Sequence, residues 1–430
     1  MSDSTSIFGL LEECFAGEWG APPDSLRDVA VLRSTNFGKE GRLDLSDVVL
    51  RQIEPTILEN KRLRCGDTLL EKSGGGPQQP VGRVVYFESS LEAVCSNFIQ
   101  VCRPKESNDP RFVFYLLDHL YREGVTLQFQ QQTTGLTNLK LAEFLTVKVR
   151  RPIREVQEVV ACILYAADQA IEQTETLLAK QQRIKTGLMH DLLTRGLDVQ
   201  GQLRPSVEEA NDLYWHSPVG WIPKAWSVDF LDNCASRITV GLATSVTKYY
   251  RDSGIRMIRN MNIRRGYFEG DDMVYLDPEF ASRFPTKLVQ ERDVLTCRTG
   301  SNVGDTCLVP AAFAGSHTFT TLITTTIRSK LVPQFLVDYM ASEIGTRELG
   351  NILVGAGKEN LNARQLAFLR VRRPPTPEQE QIHLRIESAK DSLNCISETR
   401  EKLVRIKTGL MNDLLTARVP VTPLLPNFKD

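Results

Sequence analysis

Two stretches of the chain place apolar residues at steps of three and four, or at sums of those steps, over about forty positions. Val160, Leu164, Ala167, Ile171, Leu178, Ile184, Leu188 and Leu192 form the first stripe. Ile382, Ile386, Ala389, Leu393, Ile396, Leu403, Leu410 and Leu414 form the second. This rhythm predicts long amphipathic helices over 151–196 and 373–417 with a narrow, heptad-like seam. Thr376, Pro377 and Gln379 read as an N-cap, a first helical position and the far end of a capping box. The start of the first helix, at Pro152-Ile153-Arg154, has no capping hydroxyl. Each helix spans roughly 60 Å at a rise of about 1.5 Å per residue. A helix of that length with one apolar stripe needs a partner. Each supplies one for the other, so the two are expected to pair antiparallel. Gly187 and Gly409 interrupt them at the same place, at about 1 kcal/mol each. That placement suggests a kink or a close approach by another chain.

Outside these helices the pattern shifts to short runs. VGRVVYF (81–87) and TFTTLITTTI (318–327) carry the β-branched and aromatic bias of strands. RFVFYLLDHLYREG (111–124) and QFLVDYMASEIG (334–345) read as short helices, each ending at its glycine. The expected class is α+β: two duplicated globular domains, each followed by a long helix, with the helices forming an antiparallel coiled coil. The expected boundaries are 1–150 for the first domain, 151–196 for its helix and 197–215 for a linker, with Gly196, Gly201, Pro205 and Pro218 in or beside it. The second domain follows at 216–372, its helix at 373–417, and a tail at 418–430 that should be poorly ordered unless docked.

The duplication is explicit. RIKTGLMHDLLT (183–194) and RIKTGLMNDLLT (405–416) differ only at His190 and Asn412, an offset of 222. That offset runs backward without a gap, pairing Gln157 with Gln379, Arg150 with Arg372, Asn138 with Asn360 and Gly135 with Gly357. Further upstream the register is 226, pairing Arg33 with Arg259, Asn36 with Asn262, Asp67 with Asp293 and Gly74 with Gly300. It returns to 222 by Gly82 and Gly304, so the first copy carries four extra residues within SGGGPQQPVG. A period above 200 is far too long for a solenoid repeat. The segment from Trp221 through Trp226 to Gly241 has no counterpart in the 226 register, which implies a shorter first domain with Phe8 to Trp19 substituting.

Composition adds bounds. At 430 residues, 41% hydrophobic and 24% charged, the chain has room for two or three ordinary globular domains. No apolar run approaches the roughly 18 residues that span a bilayer, and the N-terminus lacks a signal-peptide pattern. Nine scattered cysteines without CxxC indicate neither a disulfide framework nor a zinc knuckle. The expected location is cytoplasmic, with reduced thiols. The net charge of −1 gives no global attraction to nucleic acid, although KVRRPIR (148–154) and RVRR (370–373) are basic clusters just before each helix. Catalytic motifs are missing: no Asn/Asp-Pro-Pro-aromatic tetrad, GxGxxG, HExxH or GxSxG occurs. GAGKEN (355–360) fails as a phosphate loop, because Ile352 stands at the first glycine position and Glu359 at the magnesium-binding hydroxyl. Duplication without catalytic motifs makes better sense as a binding device.

Over its whole length the chain resembles the specificity subunits of type I restriction–modification systems. The carriers are GDTLLEKSGGGPQQPVGRVVYF (66–87), RDVLTCRTGSNVGDTCLVP (292–310), RRPPTPEQEQIHLRI (372–386) and the two helices ending in LLT. The resemblance implies a subunit that is not itself an enzyme. Its two target-recognition domains would each read one half of a split double-stranded DNA sequence. Its helices would set the unread spacer and dock two adenine-N6 methyltransferase subunits, with a restriction subunit as a further partner and no membrane. S-adenosylmethionine would then belong to the methyltransferase, and ATP and magnesium to the restriction subunit. A coiled-coil scaffold with two ligand-binding heads is the alternative, and it predicts no salt-dependent affinity for DNA.

Candidate DNA-contacting residues are the polar loop positions. Arg33, Asn36, Arg259 and Asn262 suit base edges, because Arg pairs bidentately with guanine and Asn with adenine. Lys72, Ser73, Arg298 and Thr299 precede glycines and suit phosphates. Gln131, Thr133, Asn138, Lys358 and Asn360 lie ahead of the basic clusters and suit either role, and Arg83 and Asn302 complete the polar loop positions near the glycines. Positions shared by the two copies suit architecture, since the two heads should read different sequences. Unshared neighbours such as Gln78, Gln79, Arg264 and Arg265 are then the better carriers of specificity.

Overall fold

The computed structural model describes residues 4–24, 28–76, 79–133, 135–353 and 360–424, and excludes the side chains at 39, 133 and 422. The chain divides into two compact units, Met1–Thr176 with Ser397–Asp430, and Leu177–Ile396. The division cuts both long helices in the middle rather than at the expected domain edges. Each unit therefore holds one globular domain, the start of the helix that follows it, and the end of the other helix.

The first unit is built on a four-stranded antiparallel sheet of Leu11–Ala16, Ile99–Pro104, Thr68–Glu71 and Val84–Tyr86, in that order. A second sheet orders Val49–Gln52, Asp28–Leu32 and Ala93–Cys95, the last pair parallel. The second unit repeats both. Its four strands are Ala235–Val240, Thr321–Thr326, Val294–Cys297 and Thr306–Leu308, and its parallel pair is Ile255–Ile258 with His317–Thr318. In each unit a short strand, Ser4–Ser6 or Ser227–Phe230, pairs antiparallel with the basic strand before the long helix. The residues from Val228 to Gly241 thus do have counterparts in the first unit, at an offset of 224. Gly17 and Gly241 both follow the next strand at a point where a Cβ would strike the main-chain carbonyls at Cys95 and Ser96 or at Thr318, the end of the parallel strand of the second sheet. A hairpin of Tyr214–Ser217 with Gly220–Pro223 starts at the end of the expected linker and runs into the second domain.

The long helices run Arg154–Thr194 and Thr376–Leu415. Within the first unit they pair antiparallel: Glu175 meets Arg400 at 2.8 Å and Asp168 meets Lys407 at 2.6 Å. Within the second, Leu192 and Leu193 share one buried cluster with Ile382 and Ile386. The repeated phrase explains itself here. Its adjacent pair of leucines seals the domain core of each unit, as Leu414 and Leu415 do beside Val160 and Leu164 in the first. Ile184 does not belong to the buried stripe, being 49% exposed.

Gln157 and Gln379 are fully buried and do the same work. Each carboxamide oxygen accepts from a backbone N–H ahead of the domain helix, Asp109 or Val332, at 2.8 Å. Each Nε2 donates to Pro152 or Pro374, and to Asn108 Oδ1 or the Lys330 carbonyl. The expected capping box is therefore not formed: the Thr376 hydroxyl donates to the Ser329 carbonyl instead. The predicted helix ending at Gly345 is also different. Pro333–Ala341 stops at Ser342, whose hydroxyl accepts from the Gly345 N–H and starts a second helix, Glu343–Leu353. The expected tail is docked at its start, where Val421 joins the core of the first unit.

Candidate nucleic-acid interface

Arg33 and Asn36 flank a single 3-10 turn after a buried strand, and Arg259 and Asn262 flank its repeat. In both loops the asparagine is buried and its amide is saturated. Asn36 Oδ1 accepts from the Arg33 N–H at 2.8 Å, while Nδ2 donates to the Asp44 and Asp47 carbonyls. Asn262 repeats this with Arg259 at 2.9 Å and with the Glu269 and Asp271 carbonyls. The two asparagines thus staple their loops and have no amide edge to offer adenine, a correction to the base-reading expectation. The arginines are less committed. Arg33 reaches Asp47 at 3.0 Å and Arg259 reaches Asp272 at 3.0 Å, and each Nε–H is buried without a partner. Each guanidinium sits at the loop surface beside an exposed aspartate.

The glycine-flanked loops also repeat. The Ser73 hydroxyl donates to Asn138 Oδ1 at 2.6 Å across paired strands, and Thr299 bridges to Asn360 in the second unit. Arg298 donates to Asn360 at 3.0 Å. Lys72 is half-buried, and burial pushes its ammonium below the usual range, with Lys61 adding to the effect. Arg83 holds the largely buried Glu71 through two nitrogens at 2.8 and 3.1 Å, and the Gln79 amide oxygen accepts from the same guanidinium. Asn302 donates to the Asn260 carbonyl and to Cys297. Arg265 donates to the Ala341 and Ser342 carbonyls at 2.8 and 3.3 Å. These four are structural tethers. Gln78 and Lys358 lie outside the described residues, as does the Thr133 side chain.

What remains outward-facing differs between the units. In the first, Gln131 is exposed on an edge strand. A surface cavity of about 570 Å³ joins Arg33, Ser34, Thr35 and Ser73 to Trp19, Phe98 and Leu136. Phe98 and Leu136 are 47% and 45% exposed. Those apolar positions were missed in the sequence, because nothing in periodicity separates an exposed aromatic from a core one. In the second unit Arg264 and Tyr267 face each other across an exposed hairpin tip. Among the described residues Arg264 has no ion pair. It lies in electrostatic reach of Asp305, whose carboxyl burial pushes up while Arg265 and Arg264 draw it down.

A further surface belongs to the repeated phrase. Ile184 and Ile406 are both largely exposed, and a Cβ added at Gly187 or Gly409 would meet nothing within 4 Å. The helices run through both glycines without a break. The kink alternative is therefore not realised, and both helices instead present an open surface at Ile184 and Gly187 or Ile406 and Gly409.

Residues 53–181 match the family model described as the type I restriction modification DNA specificity domain. The type I restriction enzyme MjaX specificity subunit of Methanocaldococcus jannaschii is 21% identical over 89% of this chain and 85% of its own length. The MjaVIII specificity subunit of the same organism is 21% identical over 76% of the chain and 75% of its own length. In fold, the chain is similar to a structure from a study of complex assembly and conformational transition of the type I restriction–modification system, with a TM-score of 0.58 at 15% identity, covering 96% of this chain and 97% of that one. It is also similar to the type I S subunit from M. genitalium, with a TM-score of 0.55 at 11% identity, covering 96% and 95%. Among the described residues no cluster suited to a metal ion occurs, and no helix is long and apolar enough to cross a membrane. In its matching family model, its curated relatives and its fold, this chain is similar to the specificity subunits of type I restriction–modification systems.

Proposed function

We infer that the chain is a non-catalytic DNA reader whose two units each recognise one half of a split, asymmetric duplex target. The observation that carries this reading is the contrast within each loop: the buried asparagine staple and its arginine are the same in both units, while Ser34 and Thr35 give way to Asn260 and Met261. A frame conserved between copies positions the loops, and different exposed residues discriminate sequence. Arg33, Ser73, Gln131, Arg259, Arg264, Arg298 and Thr299 are the contacts best placed on the surface, with Phe98 and Leu136 available for apolar contact with bases. Two methyltransferase subunits dock, in this reading, on the exposed surfaces around Ile184 and Ile406, and the helix pair sets the unread spacer. S-adenosylmethionine is carried by those subunits, and ATP and magnesium by a restriction subunit where one joins.

Modification mapping tests the reading. The chain is expressed with a methyltransferase subunit from its own gene neighbourhood, and the host DNA is sequenced for N6-methyladenine. Methylation at one split motif, lost when this chain is omitted, is the expected result. An assembled complex that marks no motif would return the chain to the scaffold reading.

A further inference from the structure

The phrase that ends each long helix places a lysine at the same position, Lys407 in the first unit and Lys185 in the second. In the first unit that lysine is enclosed. Its Nζ lies 2.6 Å from Asp168 Oδ1 and 3.7 Å from Glu40 Oε2, and its side chain is 2% exposed. The buried Asp118 adds a third carboxylate within electrostatic reach, and Met411, one turn on, is buried as well.

In the second unit all three carboxylates are missing. The 222 offset puts Lys390 where Asp168 stands. The domain helices align from Pro110 and Pro333, which puts Ala341 where Asp118 stands. The hairpin that carries Glu40 is one residue shorter, closing at Ile263 and Phe268 rather than Phe37 and Leu43, so Gly266 replaces the Glu40-Gly41 tip. The outcome is a cavity of about 340 Å³ lined by Gln182, Lys185, Thr186, His190, Gly266 and Lys390, among others. His190 is the single position at which the twelve-residue phrase differs between copies.

Among the described residues Lys185 has no ion pair or hydrogen bond, and burial together with the nearby Lys390 charge pushes its ammonium down, outweighing the opposite pull of Asp338 and Glu387. The other charges around it are committed or turned away. Lys390 pairs with Asp338 at 2.8 Å and with Glu387 at 3.3 Å, and His383 shares Asp338 at 2.7 Å. Arg265 is held by main-chain carbonyls. Glu343, on the rim, is exposed and joins no ion pair among the described residues. Two lysines share the carboxylates of Asp338 and Glu387, so a partly desolvated cation without an ion pair of its own, set in a polar cavity, favours an added anion.

We propose that this cavity is a carboxylate-binding site, which receives from outside the group that Glu40 supplies from within in the first unit. That the natural carboxylate is an Asp or Glu of a docked methyltransferase subunit rests on the docking reading above. The site itself rests on the comparison of the two units.

Competitive amine labelling of the full chain with trace acetic anhydride tests it, with Lys180 and Lys402 as exposed internal references. Sodium glutarate, balanced with chloride to constant ionic strength, is expected to slow acetylation of Lys185 at least threefold and saturably, with the references unchanged. The same labelling on the complex purified with methyltransferase subunits, without glutarate, identifies the source. Protection there assigns the carboxylate to the docked subunit, and protection by glutarate alone assigns the site to free small carboxylates. Lys185 labelling that responds to neither overturns the proposal. A complex that fails to assemble counts against the docking reading, and the glutarate arm then decides the site.

Discussion

Set side by side, the two units keep the same residues where the chain must fold and change most of the recognition-loop residues that face outward. Gln157 and Gln379, Asn36 and Asn262, and the paired leucines of the phrase occupy matching buried places with matching hydrogen bonds or contacts. The lysine of the phrase does not follow this rule. It is locked among carboxylates in one unit and left open beside a second lysine in the other. Duplication therefore preserved the packing problem and its solution, and left charge free to diverge wherever a neighbour could compensate.

The lysine pair gives the sharpest way to break the comparison. Lys407→Met removes the cation from a buried cluster of carboxylates and should destabilise the first unit by about 3–5 kcal/mol, the usual cost of orphaning one member of a buried ion pair. Lys185→Met in the second unit removes an unpaired charge beside Lys390, so its effect should stay within about 0.5 kcal/mol. Urea denaturation of both variants distinguishes the cases, and equal losses would mean that the asymmetry has no energetic content. Next in size, Gln157→Ala and Gln379→Ala each leave a buried backbone N–H and carbonyls without a partner. Each should cost about 2–3 kcal/mol, with similar values for the two. A large difference between them would show that the frame is not equivalent.

Arg264→Ala sharpens the comparison at the surface. Among the described residues its side chain makes no ion pair or hydrogen bond, so the thermal midpoint should hold. Duplex affinity measured across a salt series should fall, with the salt slope reduced by about one if the side chain meets a phosphate. Asn36→Ala should do the reverse, lowering stability before it alters DNA preference. The smallest effect concerns Glu175. Burial alone would raise its carboxyl, but hydrogen bonds from Arg42 and Arg400 outweigh it and hold the group below the usual carboxylate range. A depressed folded value means that its contribution is complete above the unfolded value of about 4.3 and is lost as pH falls through the folded one. Arg400→Ala should therefore lower the melting temperature slightly at pH 7 and not at all near pH 2.

Much of the architecture was legible because periodicity reports which face of an element is buried. The long helices, their antiparallel pairing and the duplication follow from the stripes and offsets. What periodicity cannot report is the partner of a polar side chain. Gln379 looks like half of a capping box and is instead a buried tether to Val332, Lys330 and Pro374. Gly345 looks like a helix terminator and sits in the first turn of the next helix, where its missing Cβ avoids the Tyr339 carbonyl. The stretch before Gly241 looked unmatched because insertions shift the register from 224 to 226 and back to 222. The candidate site was legible only as a set of loops. Repetition marked Asn36 and Asn262, and repetition turned out to signal architecture, while the exposed Phe98 and Leu136 carried no pattern at all.

The claim that two independent readers share one frame is tested most directly by replacing residues 216–372 with the corresponding domain of another specificity subunit and mapping N6-methyladenine in the host DNA. The account predicts a motif changed in one half, with the other half and the spacer retained. A motif altered in both halves would contradict it.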